Sequence, residues 1–149
     1  MLELITTVVL LAGSVLLFGY WFRYTCFLIL SAKTTRDYAA AVATANQLGF
    51  LEVQSQLCEN VPQLDRLRDS LDRDYAVLTY LLKHASAGNG EGAIEKRMLE
   101  INYRVVRAWY NVSRQFSPAA ASRAIGEMSQ VVAHFANAMG ERSALGAAA

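Results

Sequence analysis

The distribution of apolar and polar positions divides the chain into two parts. Residues 4–22 (LITTVVLLAGSVLLFGYWF) contain no charged side chain. A helix needs about 20 apolar residues to cross a hydrocarbon core about 30 Å thick, so this run predicts one transmembrane helix. Beyond Thr34, apolar positions instead recur at intervals of three and four, which is typical of helices with one buried face.

The end of the apolar run has the composition of a membrane–water boundary. Tyr20 and Trp21 are followed closely by Arg23, and aromatic rings and arginine both favour the headgroup region. We therefore expect Tyr20, Trp21 and Arg23 to lie at the interface. A cleaved signal peptide is the alternative, but the start carries Glu3 rather than basic residues, and no small-residue cleavage site follows.

The charges that flank the run predict its orientation. Arg23, Lys33 and Arg36 follow it, whereas Glu3 is the only charged side chain before it. Cytoplasmic flanks carry an excess of basic residues. The expectation is a single-pass protein of the cell (inner) membrane, with its N-terminus outside and its C-terminal domain in the cytoplasm.

Breakers divide the remainder into four predicted helices. The first covers about 34–59, with Gly49 as a weak interruption, and it could continue directly from the anchor. The second follows Asn60-Val61-Pro62 and ends before the glycine-rich loop 88–92, the third covers 93–116, and the fourth runs from Ser117-Pro118 to Met139, with Gly140 as its C-cap. Their expected core stripes are Leu64, Leu67, Leu71, Tyr75, Leu78 and Leu82; Ile94, Met98, Ile101, Val105, Trp109, Val112 and Phe116; and Ile125, Met128, Val132, Phe135 and Met139.

These elements predict an all-α fold: a single N-terminal transmembrane helix followed by an antiparallel three- or four-helix bundle. The expected boundaries are 1–31 for the anchor and juxtamembrane segment, 32–142 for the bundle and 143–149 for a flexible tail. No segment has the alternating pattern of a strand.

Composition offers little for chemistry. Fourteen basic and 13 acidic residues give a net charge of +1, which makes no electrostatic case for nucleic acid. Two histidines and two cysteines lack metal-ligand spacing, and the 88–92 loop lacks the Lys-Ser/Thr of a phosphate-binding loop. The sequence therefore predicts no catalytic residue, no cofactor and no metal.

Two surfaces of the predicted bundle could make contacts. Tyr103, Arg107, Tyr110 and Arg114 share one face of the third helix, and this Tyr/Arg face is the preferred candidate for a partner-binding surface. The alternative is that its tyrosines simply cover the bundle. The acidic side of the second helix, Asp65, Asp69 and Asp72, could pair with the basic side of the third, which could otherwise meet anionic lipid.

The expected function is that of a non-catalytic single-pass membrane subunit or scaffold of a larger membrane assembly. Its expected partners are membrane lipid and other membrane subunits, with no nucleic acid. One alternative is a homo-oligomeric ring or pore whose spans associate through Ala12, Gly13, Ser14 and Gly19. Another is a membrane-tethered ligand sensor with a pocket among Met98, Trp109, Met128 and Phe135.

Overall fold

The fold is all-helical, as predicted. A computed structural model describes residues 1–32, 37–58, 63–85 and 92–148. Its helices are α1 (Leu2–Ser31), α2 (Ala39–Asn46), α3 (Phe50–Gln56), α4 (Leu64–Ala85), α5 (Ala93–Ser113) and α6 (Pro118–Ala148). They form two compact units, residues 1–33 and residues 34–149.

The first unit is α1, which carries the apolar run and continues through the second apolar segment, residues 24–30. At Ala32 the backbone becomes extended, with φ −63° and ψ 117°. The helix therefore ends there, and the expected option of an unbroken helix from the anchor into the next element is wrong. Lys33 and Arg36, which entered the orientation argument, lie outside the described residues.

In the second unit, α6 is the helix that contacts all the others: α2, α3, α4 and α5. Its buried apolar side chains include four of the five predicted ones, whereas Met139 is half-buried. Ser117 starts this helix as predicted, because its Oγ accepts a hydrogen bond from the Ala120 N–H at 3.3 Å. The buried apolar residues of α6 are Ala121, Ala124, Ile125, Met128, Val131, Val132, Phe135 and Ala136.

The stripe predicted for α4 is also largely confirmed. Leu67, Leu71, Leu78 and Leu82 are buried, and 3-4 spacing places them on the side that meets α6. Side-chain contacts with α5 pair low residue numbers of α4 with high numbers of α5, as for Asp65 with Arg114 and Asp72 with Tyr103. The two helices are thus antiparallel. The predicted break at Asn60-Val61-Pro62 and residues 88–91 of the glycine-rich loop lie outside the described residues.

The single helix expected over 34–59 is wrong, since α2 and α3 are separate. Gln47 adopts a left-handed conformation with φ 54°, and its N–H caps α2. The chain then turns at Gly49, whose N–H donates to Asp74 Oδ2 at 2.8 Å. A carboxylate on α4 thereby supplies the interaction that lets a new helix begin at Phe50.

The C-terminal end also differs from the prediction. Gly140 does not end α6, which continues to Ala148 through the segment predicted as a flexible tail. Gly140 is buried, and a Cβ at this position would overlap the side chain of Tyr38 and approach Val42 Cγ2 to 3.3 Å. This glycine is needed for the close approach of the chain at α2, not for a cap.

Candidate functional site

An open row of apolar side chains runs along α5 and into the turn that follows it. Its members, defined here as the outer face of α5, are Ile94, Ile101, Val105, Trp109, Val112 and Phe116. Ile94 and Phe116 expose 76% and 80% of their surface, and Trp109 exposes 56%. These are six of the seven residues that the sequence predicted for the core of α5, and for these six the prediction is wrong. The seventh, Met98, is half-buried.

The buried side of α5 is instead the one that carries tyrosines. Leu99, Tyr103, Val106 and Tyr110 are almost fully buried, together with Asn102 and Ser113. Both α5 faces have helical spacing, and hydrophobicity alone favours the Ile/Val/Trp face. The tyrosine face packs inward because its rings fill the space beside α4 and α6 while its hydroxyl groups find acceptors at the rim.

The contact between α4 and α5 is made by tyrosine, aspartate and arginine. The Tyr103 hydroxyl donates to Asp72 Oδ1 at 2.9 Å, and Arg107 Nε lies 2.9 Å from Asp72 Oδ2. The Tyr103 ring stacks on Tyr75 with centroids 3.9 Å apart. Burial, the nearby Asp72 charge and this hydrogen bond raise the pKa of Tyr103, so its hydroxyl stays protonated and donates.

The same arrangement repeats two helical turns away. The Tyr110 hydroxyl donates to Asp65 Oδ1 at 2.9 Å, and Arg114 Nη1 donates to the same oxygen at 2.7 Å. Burial, with the hydrogen bond to Asp65, raises the pKa of Tyr110 to about 12. The hydrogen bond from Tyr110, with help from Arg114, lowers the pKa of Asp65. Pairing of the acidic side of α4 with the basic side of α5, one of the predicted options, is confirmed.

The four predicted partner-binding residues take part in these contacts between α4 and α5. Tyr103 and Tyr110 expose only 2% and 1% of their surface, and Arg107 and Arg114 are engaged by Asp72 and Asp65. The two tyrosines are therefore covered within the domain, whereas Arg107 and Arg114 still expose 51% and 45% of their side chains. The alternative, that the tyrosines cover the bundle, describes them correctly.

Charge is uneven beside the outer face of α5. No member of the face is acidic, and Arg97 and Arg104, both exposed, lie four residues before and three residues after Ile101. That spacing places both on the same edge of the face. Glu95 lies at the N-terminal turn toward the other edge. Glu100 lies between the two arginines in this spacing and pairs with Lys96, with Nζ and Oε1 3.9 Å apart. Arg97 and Arg104 therefore leave this edge net basic.

The three residues of α1 that were predicted to lie at the membrane–water interface are exposed. Tyr20 and Trp21 expose 71% and 55% of their surface, and Arg23 is exposed as well. The rings of Tyr20 and Tyr24 stack one turn apart, with centroids 6.3 Å apart. The aromatic residues form a band around one level of the helix, followed by a cation.

The four residues of the pocket predicted for a ligand sensor differ in exposure, and Met98 is half-buried. Met128 and Phe135 are buried in the core, whereas Trp109 lies on the outer face of α5. A different cavity, of about 510 Å³, opens between α3 and α4. Its lining is mostly polar and includes Glu52, Arg66, Asp69, Ser70 and Arg73.

Asp74, beside this region, is the buried charge that the sequence reasoning missed. It exposes 1% of its surface and accepts hydrogen bonds from the Gly49 and Phe50 N–H groups. Among the described residues its Oδ1 has no hydrogen-bond partner, and Arg73 Nε lies 3.9 Å from it. Burial raises the pKa of this carboxyl group. Its position within the Leu67, Leu71, Leu78 stripe was the available signal, since an acid on a buried face implies a specific acceptor role.

The two histidines lie apart, on α4 and α6. Within the described residues, no group of three potential ligands comes together. His84 Nδ1 lies 2.8 Å from the Tyr80 carbonyl oxygen in the last turn of α4, while His134 is half-buried on α6. Cys26 and Cys58 are not joined to each other or to another cysteine.

Comparison with known proteins gives no family assignment. The chain matches no protein-family model, no curated protein and no solved structure.

Proposed function

We propose that the chain is a non-catalytic, single-pass membrane subunit or scaffold of a larger membrane assembly. The observation that carries this proposal is α1. It is 30 residues long, apolar enough to cross a bilayer, and open along nearly all of its large hydrophobic side chains. Such a surface is stable where lipid or other spans cover it.

Retention of α1 is part of the proposal, because an N-terminal signal sequence can have the same length and composition. Two features favour retention. Glu3 precedes the apolar run where a signal sequence carries basic residues. The helix also continues without interruption to Ser31, past the point where the uncharged run ends.

The non-catalytic part of the proposal is supported by how the domain uses its polar side chains. Asp65 and Asp72 accept from tyrosine hydroxyls and pair with arginines. Asp74 accepts from backbone N–H groups at the start of α3. In these roles, the three carboxylates hold helices of the domain together.

The assembly part is supported by open apolar surface on both units. On α1, nothing lies within 4 Å of a Cβ placed at Gly13 or Gly19, and small residues allow a neighbouring span to approach closely. On the domain, the outer face of α5 is open. A large contiguous apolar surface that is exposed on a soluble monomer usually marks a contact with another molecule.

Composition of the purified complex tests the proposal. The full chain, extracted in mild detergent, should carry different polypeptides at a fixed stoichiometry in native mass spectrometry. Gly13→Leu should weaken this association, and Val8→Leu, which also adds volume at an open position of α1, should not. Complexes built only from copies of the chain would favour the homo-oligomeric ring or pore, and a monomer without companions would contradict both.

Orientation is proposed with the domain in the cytoplasm, on the basis of the basic residues that follow the apolar run. Cys58 is exposed and lies in the domain, which makes it a reporter. In a Cys26→Ser variant, a membrane-impermeant maleimide should label Cys58 only after the cells are permeabilised. Labelling of Cys58 in intact cells would show the opposite orientation, with the domain outside the cell.

A further inference from the structure

We propose that the outer face of α5 lies on the surface of the bilayer, so that lipid covers its apolar side chains. This inference rests on the proposed membrane anchoring and names the surface through which the domain meets the membrane. The domain would then lie against the lipid instead of projecting freely from the end of the anchor.

The chemistry of the face suits a lipid–water boundary. Its six members are isoleucine, valine, tryptophan and phenylalanine side chains, and none is acidic. Helices that lie in the interface combine such an apolar face with basic residues at its edge, and insert it roughly 5–10 Å deep. Trp109 is the member best suited to the headgroup level, since tryptophan is enriched there.

Electrostatics favours lipid over a second copy of the chain. Arg97 and Arg104 lie along one edge of the face, where they can approach the phosphates of anionic lipid. In an antiparallel pairing of two α5 helices centred at Val105, each Arg104 would instead approach the Arg104 of the other copy. The repulsion between the two like charges would oppose this pairing.

The anchor keeps this face within reach of the membrane. Seven residues, 32–38, connect Ser31 of α1 to Ala39 of α2, and they can span at most about 25 Å. A tether of this length gives a high effective concentration of the domain at the lipid surface, so even a weak contact would be occupied. The 21 residues of α5 form a ridge about 30 Å long, and its opposite side is fixed by packing on α6.

Tryptophan fluorescence can test this contact in the full chain. Of the two tryptophans, Trp21 is replaced by Phe, so that Trp109 alone reports, and the protein is reconstituted into vesicles of phosphatidylcholine and phosphatidylglycerol. We expect Trp109 emission to be shifted to the blue, quenched by lipids with brominated acyl chains, and protected from acrylamide. The matched control is Tyr80→Trp in a chain with Phe at positions 21 and 109, because Tyr80 is exposed on α4; it should show the opposite pattern.

Charge variants test the role of the basic edge. Replacing Arg97 and Arg104 by Gln should remove the dependence of Trp109 quenching on phosphatidylglycerol. Replacing Arg66 and Arg73, two exposed arginines on α4 with the same seven-residue spacing, should leave that dependence intact. Equal effects of the two pairs would overturn the assignment of the edge.

Each remaining outcome has a definite meaning. Acrylamide quenching without bromolipid quenching would overturn the inference and leave the face open for a partner protein. Protection from both quenchers that increases with the number of chains per vesicle would overturn it in favour of a second copy. Flotation of the vesicles on a density gradient tests the anchoring independently of Trp109. Failure of the protein to float with the vesicles would contradict the anchoring itself.

Discussion

Gly140 and Gly146 lie on the same helix but have different surroundings. A Cβ at Gly140 would overlap Tyr38, whereas nothing lies within 4 Å of one at Gly146. Gly140→Ala should therefore lower the free energy of unfolding by about 1–3 kcal/mol through overpacking. Gly146→Ala should leave it unchanged or raise it by up to about 1 kcal/mol, because alanine favours the helix. Urea unfolding of the full chain in nanodiscs measures both, and equal effects would contradict the packing at α2.

His134 gives the domain a pH dependence of known sign. Burial lowers the pKa of this histidine below its ordinary 6.5, with Glu95 and Glu141 acting in the opposite direction. The unfolded state therefore binds more protons between the folded pKa and 6.5, and stability falls as the pH decreases through that window. The contribution of His134 to the free energy of unfolding should thus decrease from pH 7.5 to pH 5.0, so that the wild type loses more stability, or gains less, over this range than His134→Gln. The exposed His84→Gln variant is the control; if its slope changed as much, His134 would not be the source.

At the scale of the element, the sequence predicts which segments are helical, and roughly where they lie, far better than it predicts which face of a helix is buried. The stripes of α4 and α6 were predictable because each helix has one apolar face. On α5, the Ile/Val/Trp face and the tyrosine face both have helical spacing, and the choice between them depends on Asp65 and Asp72 of another helix. A tertiary hydrogen bond of this kind has no signal in local periodicity, so the core stripe was assigned to the wrong face of α5.

The break between α2 and α3 was missed for a related reason. It depends on Gln47 adopting a left-handed conformation and on Asp74 accepting from Gly49, 25 residues earlier in the chain. Gln47→Gly should raise the free energy of unfolding by about 0.5–1 kcal/mol, because the left-handed region strains a residue with a Cβ. Gln54→Gly, in the middle of α3, should instead cost up to about 1 kcal/mol. Thermal unfolding of the two variants tests whether Gln47 adopts the left-handed conformation between α2 and α3. Stabilisation by both substitutions would contradict this.

The contact between α4 and α5 makes its own prediction. Tyr103→Phe keeps the stacked ring but removes the hydrogen bond to Asp72, and should cost about 1 kcal/mol. A double-mutant cycle with Asp72→Ala, which removes the acceptor, should give a coupling energy well above zero, since the two groups touch. Tyr80→Phe, on an exposed tyrosine, should change the free energy of unfolding by less than about 0.5 kcal/mol. Additive effects of the Tyr103 and Asp72 substitutions would mean that the hydrogen bond does not contribute.

For the whole molecule, the anchor and the domain present the same physical problem. The apolar surface of α1 and the outer face of α5 are both open in the isolated chain, and both are apolar enough to favour lipid. The proposed membrane-bound scaffold would account for both surfaces, with lipid or other spans around α1 and lipid against the outer face of α5.

The most direct test of this account is the intact mass of the protein recovered from membranes washed with alkaline carbonate. The account predicts that the chain stays in the washed membranes and that its mass includes residues 2–31. Release into the carbonate supernatant, or a membrane form whose mass lacks those residues, would contradict it.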